Sequence, residues 1–250
     1  DALRIHCRRS GGRLPGRTRP DPGLAPSRSF LWTLVDTIKP GVRTEIRILG
    51  NIEIVTDDGT SISPSRGAVR CVLGAFALSP GRRLGIDDLV SRVWGIAPPD
   101  RADETVTTYV RSVRRALTQA GVPADTLRSH RPRMYSLDLS PKNIDYHIFR
   151  SLCAAASEAA ARNDPRSAVS SYEAALGKKW RGDALSGVES SWAESRRHAL
   201  EIEWAEVVYA LCDQLSDLGD QHAVATWTER IATESVPTDR MILVGIRALC

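Results

Sequence analysis

The 250-residue chain carries 34 Lys/Arg against 30 Asp/Glu, a net charge of +4, with 42% hydrophobic and 26% charged residues, the balance of an ordinary globular protein. No run approaches the roughly 20 apolar residues of a membrane span, and no apolar h-region precedes a small-residue cleavage site, which argues against spanning and secretion. The five cysteines, Cys7, Cys71, Cys153, Cys212 and Cys250, form no Cys-x-x-Cys pair, so neither a disulfide framework nor a zinc site is expected, and a reducing cytoplasm is.

The charge is uneven. Residues 1–43, 44–142 and 143–250 carry +6, +3 and −5, and from Arg111 to Arg133 six arginines stand against one acid, Asp125. Clustered cations matter more to a polyanion than the total does.

Residues 1–29 are rich in Arg, Gly and Pro with no apolar periodicity, which predicts a disordered basic arm, and Phe30 to Ile38 predicts a helical turn or two. Together 1–43 read as an N-terminal extension. Glu45–Leu49 and Ile52–Val55 alternate as half-buried strands do; Asp57-Asp58-Gly59 is a hairpin turn and Ser61–Ser63 a short third strand. A helix follows Pro64 through Val69, Val72, Leu73, Phe76 and Leu78, stopped by Ser79-Pro80-Gly81. A second runs from Asp87 to Trp94, with Leu89, Val90 and Val93 inward.

The third helix is the most legible stretch. Asp100 and Asp103 offer oxygens to a helix start, Val106, Val110, Val113 and Leu117 form one apolar stripe, and Gly121 is a stop. At about 100° per residue, Thr108, Arg111 and Arg115 point away from the stripe, with Thr107, Arg114 and Thr118 on the shoulder. Beyond it, Arg128, Arg131 and Arg133 alternate along a short basic strand pair. A sheet, three helices and a closing hairpin is the order of a winged helix-turn-helix. The fold expected for 44–142 is therefore a winged-helix DNA-binding domain.

From residue 143 the pattern becomes helical. Phe149, Leu152, Cys153, Ala156 and Ala160 share a face; Ala168, Tyr172 and Leu176 recur 55 positions later as Ala223, Trp227 and Ile231. Between them, Trp192 to Leu218 carries Leu200, Trp204, Val207, Val208, Leu211, Leu215 and Leu218. This predicts a TPR-like all-helical domain over 143–250, incomplete because the chain ends inside a further helix (240–249). The fold class is mainly α with a small β component.

Those residues carry a resemblance. Pro64-Ser65 with Arg70-Cys71-Val72-Leu73, Trp94-Gly95 with Pro98-Pro99, Tyr109-Val110 with Val113-Arg114-Arg115-Ala116-Leu117, Asp145 with Phe149, and Trp180-Arg181-Gly182-Asp183-Ala184-Leu185 occur in order over some 200 residues. In this the chain resembles the Streptomyces antibiotic regulatory protein (SARP) family, an OmpR-like winged helix joined to a bacterial transcriptional activation domain. The resemblance implies an activator of a biosynthetic gene cluster that binds promoter direct repeats in double-stranded DNA as a side-by-side homodimer and recruits RNA polymerase. No cofactor, membrane contact or enzymatic activity is expected. Arg111 and Arg115 are the leading base-or-phosphate candidates, then Thr107 and Thr108; Arg131 and Arg133 go to phosphate or minor groove, and Arg114 divides between DNA and an intramolecular partner. Three positions depart from the family pattern: Ala68 for a lysine, Thr107 for a glutamine, and Met134 for the glycine before the wing tyrosine. If Met134 needs φ > 0, the wing turns differently.

No Gly-x-x-x-x-Gly-Lys-Ser/Thr loop, Gly-x-Ser-x-Gly elbow or His-Glu-x-x-His is present. The competing readings are a helical-repeat protein-binding adaptor with a weakened DNA-binding domain and, with no convergent polar cluster behind it, a ligand-gated regulator.

Overall fold

The computed structural model describes residues 44–178 and 180–234; the predicted N-terminal arm, the turns over 30–38 and the helix over 240–249 lie outside them. Strands β1 (Glu45–Arg47), β2 (Glu53–Val55) and β3 (Ser61–Ile62) form an antiparallel meander in which Ile46, Ile54 and Ile62 fall in register. Helices α1 (Gly67–Ala77), α2 (Ile86–Trp94) and α3 (Ala102–Gln119) pack on one another, and β5 (Leu127–His130) with β6 (Met134–Leu137) closes the unit as a hairpin. The wing gains a third strand, β4 (Leu84–Gly85), in the order β4-β6-β5. Two residues carry no periodicity, so β4 is invisible in the sequence.

The α3 stripe is as expected. Val106, Val110, Val113 and Leu117 are 0 to 1% exposed, each burial contributing roughly 1.5–3 kcal/mol. The expected N-cap is not. Arg101 occupies that position without a side-chain hydrogen bond, while Asp103 lies inside the first turn, where a carboxylate complements the positive helix end. At the other end Gly121 adopts φ 77, and Val122 N and Gly121 N donate to Leu117 O and Thr118 O, closing the last turn.

Helices α4 (Asp145–Ala161), α5 (Pro165–Lys178), α6 (Ser191–Asp217) and α7 (Gln221–Glu234) each pack on the next. The repeat is real, with its register moved by one. Asp164 and Asp220 cap α5 and α7 by accepting from Ser167 N and Ala223 N, after left-handed turns at Asn163 and Gly219. The fully buried pairs are Ala168 with Val224 and Ala175 with Ile231. All these correspond at 56 positions; the 55-position stripe instead puts Ala223 and Trp227 at the half-buried edge. Leu218 leaves the expected α6 stripe, because it is the C-cap and is 40% exposed.

The two halves share one apolar core running from Ile46 to Ile231. Strand β1 ends at Arg47, short of the predicted Leu49, because the backbone of 48–50 is taken up by the helical half. Ile48 O, Leu49 O and Gly50 O accept from Leu185 N, Arg181 N and Ser186 N. The buried Asp145 carboxylate accepts from Ile48 N and Leu49 N at 3.0 Å, from Tyr146 N at 2.7 Å and from the Arg181 guanidinium at 2.6 Å. Burial pushes this carboxyl above its usual range, and the four donors oppose that push. Arg197 reaches the carbonyls of Ala184, Leu185 and Val188, fixing the same loop from α6.

Candidate nucleic-acid interface

The outer face of α3 lies opposite its buried stripe. Arg111 and Arg115 are exposed there and make no hydrogen bond or ion pair among the described residues. Thr108 is exposed and Thr107 half-buried; their hydroxyls donate to Glu104 O at 3.1 Å and Asp103 O at 2.9 Å. With that donor committed inside the helix, Thr108 presents outward a methyl group and acceptor lone pairs.

Arg114 takes the intramolecular branch. Its guanidinium donates to Leu127 O at 2.8 Å and Ser129 Oγ at 3.3 Å, so it ties α3 to the wing strand. Arg133 is exposed on the wing turn and pairs with Asp103 at 2.9 Å, linking the turn to the start of α3. Arg128 pairs with Asp138 at 3.0 Å. Of the six arginines in this stretch, only Arg111, Arg115 and Arg131, the last exposed on the wing turn, are without a partner among the described residues.

The wing does not need a glycine at 134. Met134 lies in β6, paired with His130 and Gly85, and the left-handed residue is Arg133, with φ 57. Arg133 O accepts from Ile86 N at 3.2 Å, which fixes that conformation from the start of α2. Inside the hairpin, His130 Nε2 and Ser136 Oγ lie 2.8 Å apart and Ser136 donates to Asp138 Oδ1 at 3.1 Å. Ser136 is buried and donates to the carboxylate, so this trio braces the hairpin and offers no free nucleophile.

Sequence reasoning missed two arginines of α1's approach. Arg66 is exposed beside α3, and Arg70 bonds the carbonyls of Pro64, Ser65 and Gly187. Only the pair Arg70-Cys71 in the family pattern hinted at the second. Among the described residues no group of three His, Cys, Asp or Glu side chains is placed to hold a metal, and no helix is long and apolar enough to cross a membrane. Burial pushes the thiols of Cys71, Cys153 and Cys212 up to about 11, about 12 and about 11.

Two family models account for most of the described chain. The transcriptional regulatory protein C-terminal domain matches residues 66–137, and the bacterial transcriptional activator domain matches residues 144–250. The chain belongs to the SARP family. Regulatory protein DnrI of Streptomyces peucetius is 33% identical to this SARP chain over 152 residues, 58% of the chain and 55% of the relative. Transcriptional regulator RedD of Streptomyces coelicolor is 29% identical over 196 residues, 75% of the chain and 54% of the relative. The structure of Mycobacterium tuberculosis EmbR in complex with a low-affinity phosphopeptide shares the SARP chain's fold, with TM-score 0.76 at 24% identity over 83% of this chain and 54% of that one. The chain thus spans about half the length of these relatives.

Proposed function

We propose that this SARP chain is a sequence-specific DNA-binding activator of transcription, with α3 lying in the major groove and the wing turn beside it. The observation that carries the reading is the pair of unpaired guanidiniums, Arg111 and Arg115, on the face of α3 opposite a fully buried stripe. An arginine so placed has the donors to take guanine O6 and N7 together, or to neutralise a flanking phosphate. The outward methyl and acceptor of Thr108 suit a thymine methyl or the amino group of cytosine or adenine. Arg131 on the wing turn supplies a backbone or minor-groove contact. Arg133 does so only if its exposed pair with Asp103 opens, which costs about 0–1 kcal/mol. Arg114 positions the wing and leaves the base-reading set.

The proposal extends to binding promoter direct repeats as a side-by-side homodimer, recruitment of RNA polymerase, control of a biosynthetic gene cluster and a cytoplasmic location, and the likeness to DnrI and RedD supports this reading. The helical half, at −5, is the face offered to a protein partner. The test is selection of genomic fragments by the purified chain, followed by footprinting at two salt concentrations. Protection of two direct repeats about one helical turn apart is the expected result. Recovery of no motif, with only weak salt-sensitive binding, would replace this reading with the protein-binding adaptor.

A further inference from the structure

Beside α3, the loop 63–66 and the C-terminal half of the helix enclose an open cleft of about 300 Å³, whose polar lining is Ser63, Ser65, Arg66, Ser112, Arg115 and Gln119. No carboxylate lines it. Arg66 and Arg115 reach it from separate elements, both are exposed, and neither side chain has a partner among the described residues. Two like charges facing one cleft repel each other; the Ser63 and Ser112 hydroxyls already donate to Ile52 O and Thr108 O, which leaves the Ser65 hydroxyl and the Gln119 amide as further donors for an anion.

The loop is held in place before anything binds. Arg70 takes Pro64 O at 2.9 Å and Ser65 O at 3.3 Å, and continues to Gly187 O of the helical half at 2.7 Å. Ser63 Oγ donates to Ile52 O at 2.8 Å, anchoring the other end to β2. With these bonds made inside the protein, Arg66 stands on a braced loop, and Arg70 is a positioning residue.

We infer that this cleft cradles one backbone phosphate of the DNA strand bordering the groove that α3 enters, with Arg66 and Arg115 as its two charged ligands. This rests on the proposed DNA-reading function and divides its labour. Arg111, one helical turn before Arg115, is left as the base reader, while Arg115 and Arg66 set register and affinity without reading sequence.

The full chain is titrated with its selected operator duplex and with a random duplex of equal length over a salt series. Arg66→Gln and Arg115→Gln each weaken both duplexes by the same factor. The double variant lowers the slope of log affinity against log salt by about one, as a single shared phosphate requires. Arg66→Lys, which keeps the charge, retains most of the slope. Methylphosphonate substitution, one operator phosphate at a time, identifies the position: neutralising it weakens the parent and has no further effect on the double variant. Unaltered affinity and slope in Arg66→Gln would overturn the cradle alone, as would a loss confined to the operator. Failure of the unsubstituted chain to bind either duplex would overturn the DNA-reading function and the cradle with it. Thermal melts matching the parent establish that these exposed substitutions leave the fold intact.

Discussion

Replacing Asp145 by Asn tests whether a buried charge holds the two halves together. The side chain is fully buried, and its two oxygens serve three backbone N–H groups and the Arg181 guanidinium. Asparagine keeps one acceptor oxygen and turns an NH2 group toward donors, so at least one N–H loses its acceptor and the guanidinium loses its counter-charge. Breaking a buried pair from one side costs about 3–5 kcal/mol, and an orphaned buried N–H about 1–3 kcal/mol. The Arg181 side chain is 29% exposed, so water recovers part of its charge and the lower figure applies. About 3 kcal/mol in a unit of this size lowers Tm by roughly 6–12 °C. Circular dichroism melts of parent and variant measure it, with Arg150→Ala as control, since its pair with Glu203 is exposed and contributes about 0–1 kcal/mol. A variant melting within 2 °C of the parent would refute the argument that the carboxylate fixes the junction.

Other expectations follow from the same geometry. Arg111→Ala weakens operator binding by roughly 1–3 kcal/mol and random DNA much less, which competition titrations read directly; equal losses would make Arg111 a phosphate contact. Val110→Asp puts a charge at a site 1% exposed and unfolds the winged helix, seen as loss of the cooperative melt. Thiols raised to about 11, 12 and 11 hold little thiolate at pH 8. Cys71, Cys153 and Cys212 therefore label with iodoacetamide slowly in the native chain and quickly in denaturant, as peptide mass spectrometry will quantify.

What the sequence disclosed follows the range of the interactions. The α3 stripe was legible because a 3.6-residue period is local, and the order of strands, helices and hairpin followed from local patterns of the same kind. The helix's N-terminus was misread because Asp100 and Asp103 satisfy the composition of a cap, whereas the chain enters the helix through Arg101. The partner of Arg114 lies 13 residues away on a strand, and two of those of Asp145 lie 97 and 96 residues away, just past the end of β1, where no periodicity reaches. The condition set on Met134 is not met: the left-handed residue of the wing turn is its neighbour Arg133, whose carbonyl Ile86 N holds from outside the hairpin. In the candidate site the outward arginines were readable from helix phase. Which of them are already partnered depends on the wing's position, and Arg66 enters only once α1 is docked on α3.

The junction through Asp145, Arg181 and Arg70 bears on the geometry of a promoter. With 48–50 laced to 181–186 and Arg70 bridging to Gly187, the helical half has no hinge about which to swing over bound DNA. In the proposed DNA complex its azimuth around the duplex is then set by where α3 sits. Shifting the binding site by about five base pairs, half of a 10–10.5 base-pair turn, carries that half to the far side of the helix axis, while a full-turn shift restores its face. Promoter output should therefore oscillate with site spacing at the period of the double helix, as it would not for two domains on a slack tether.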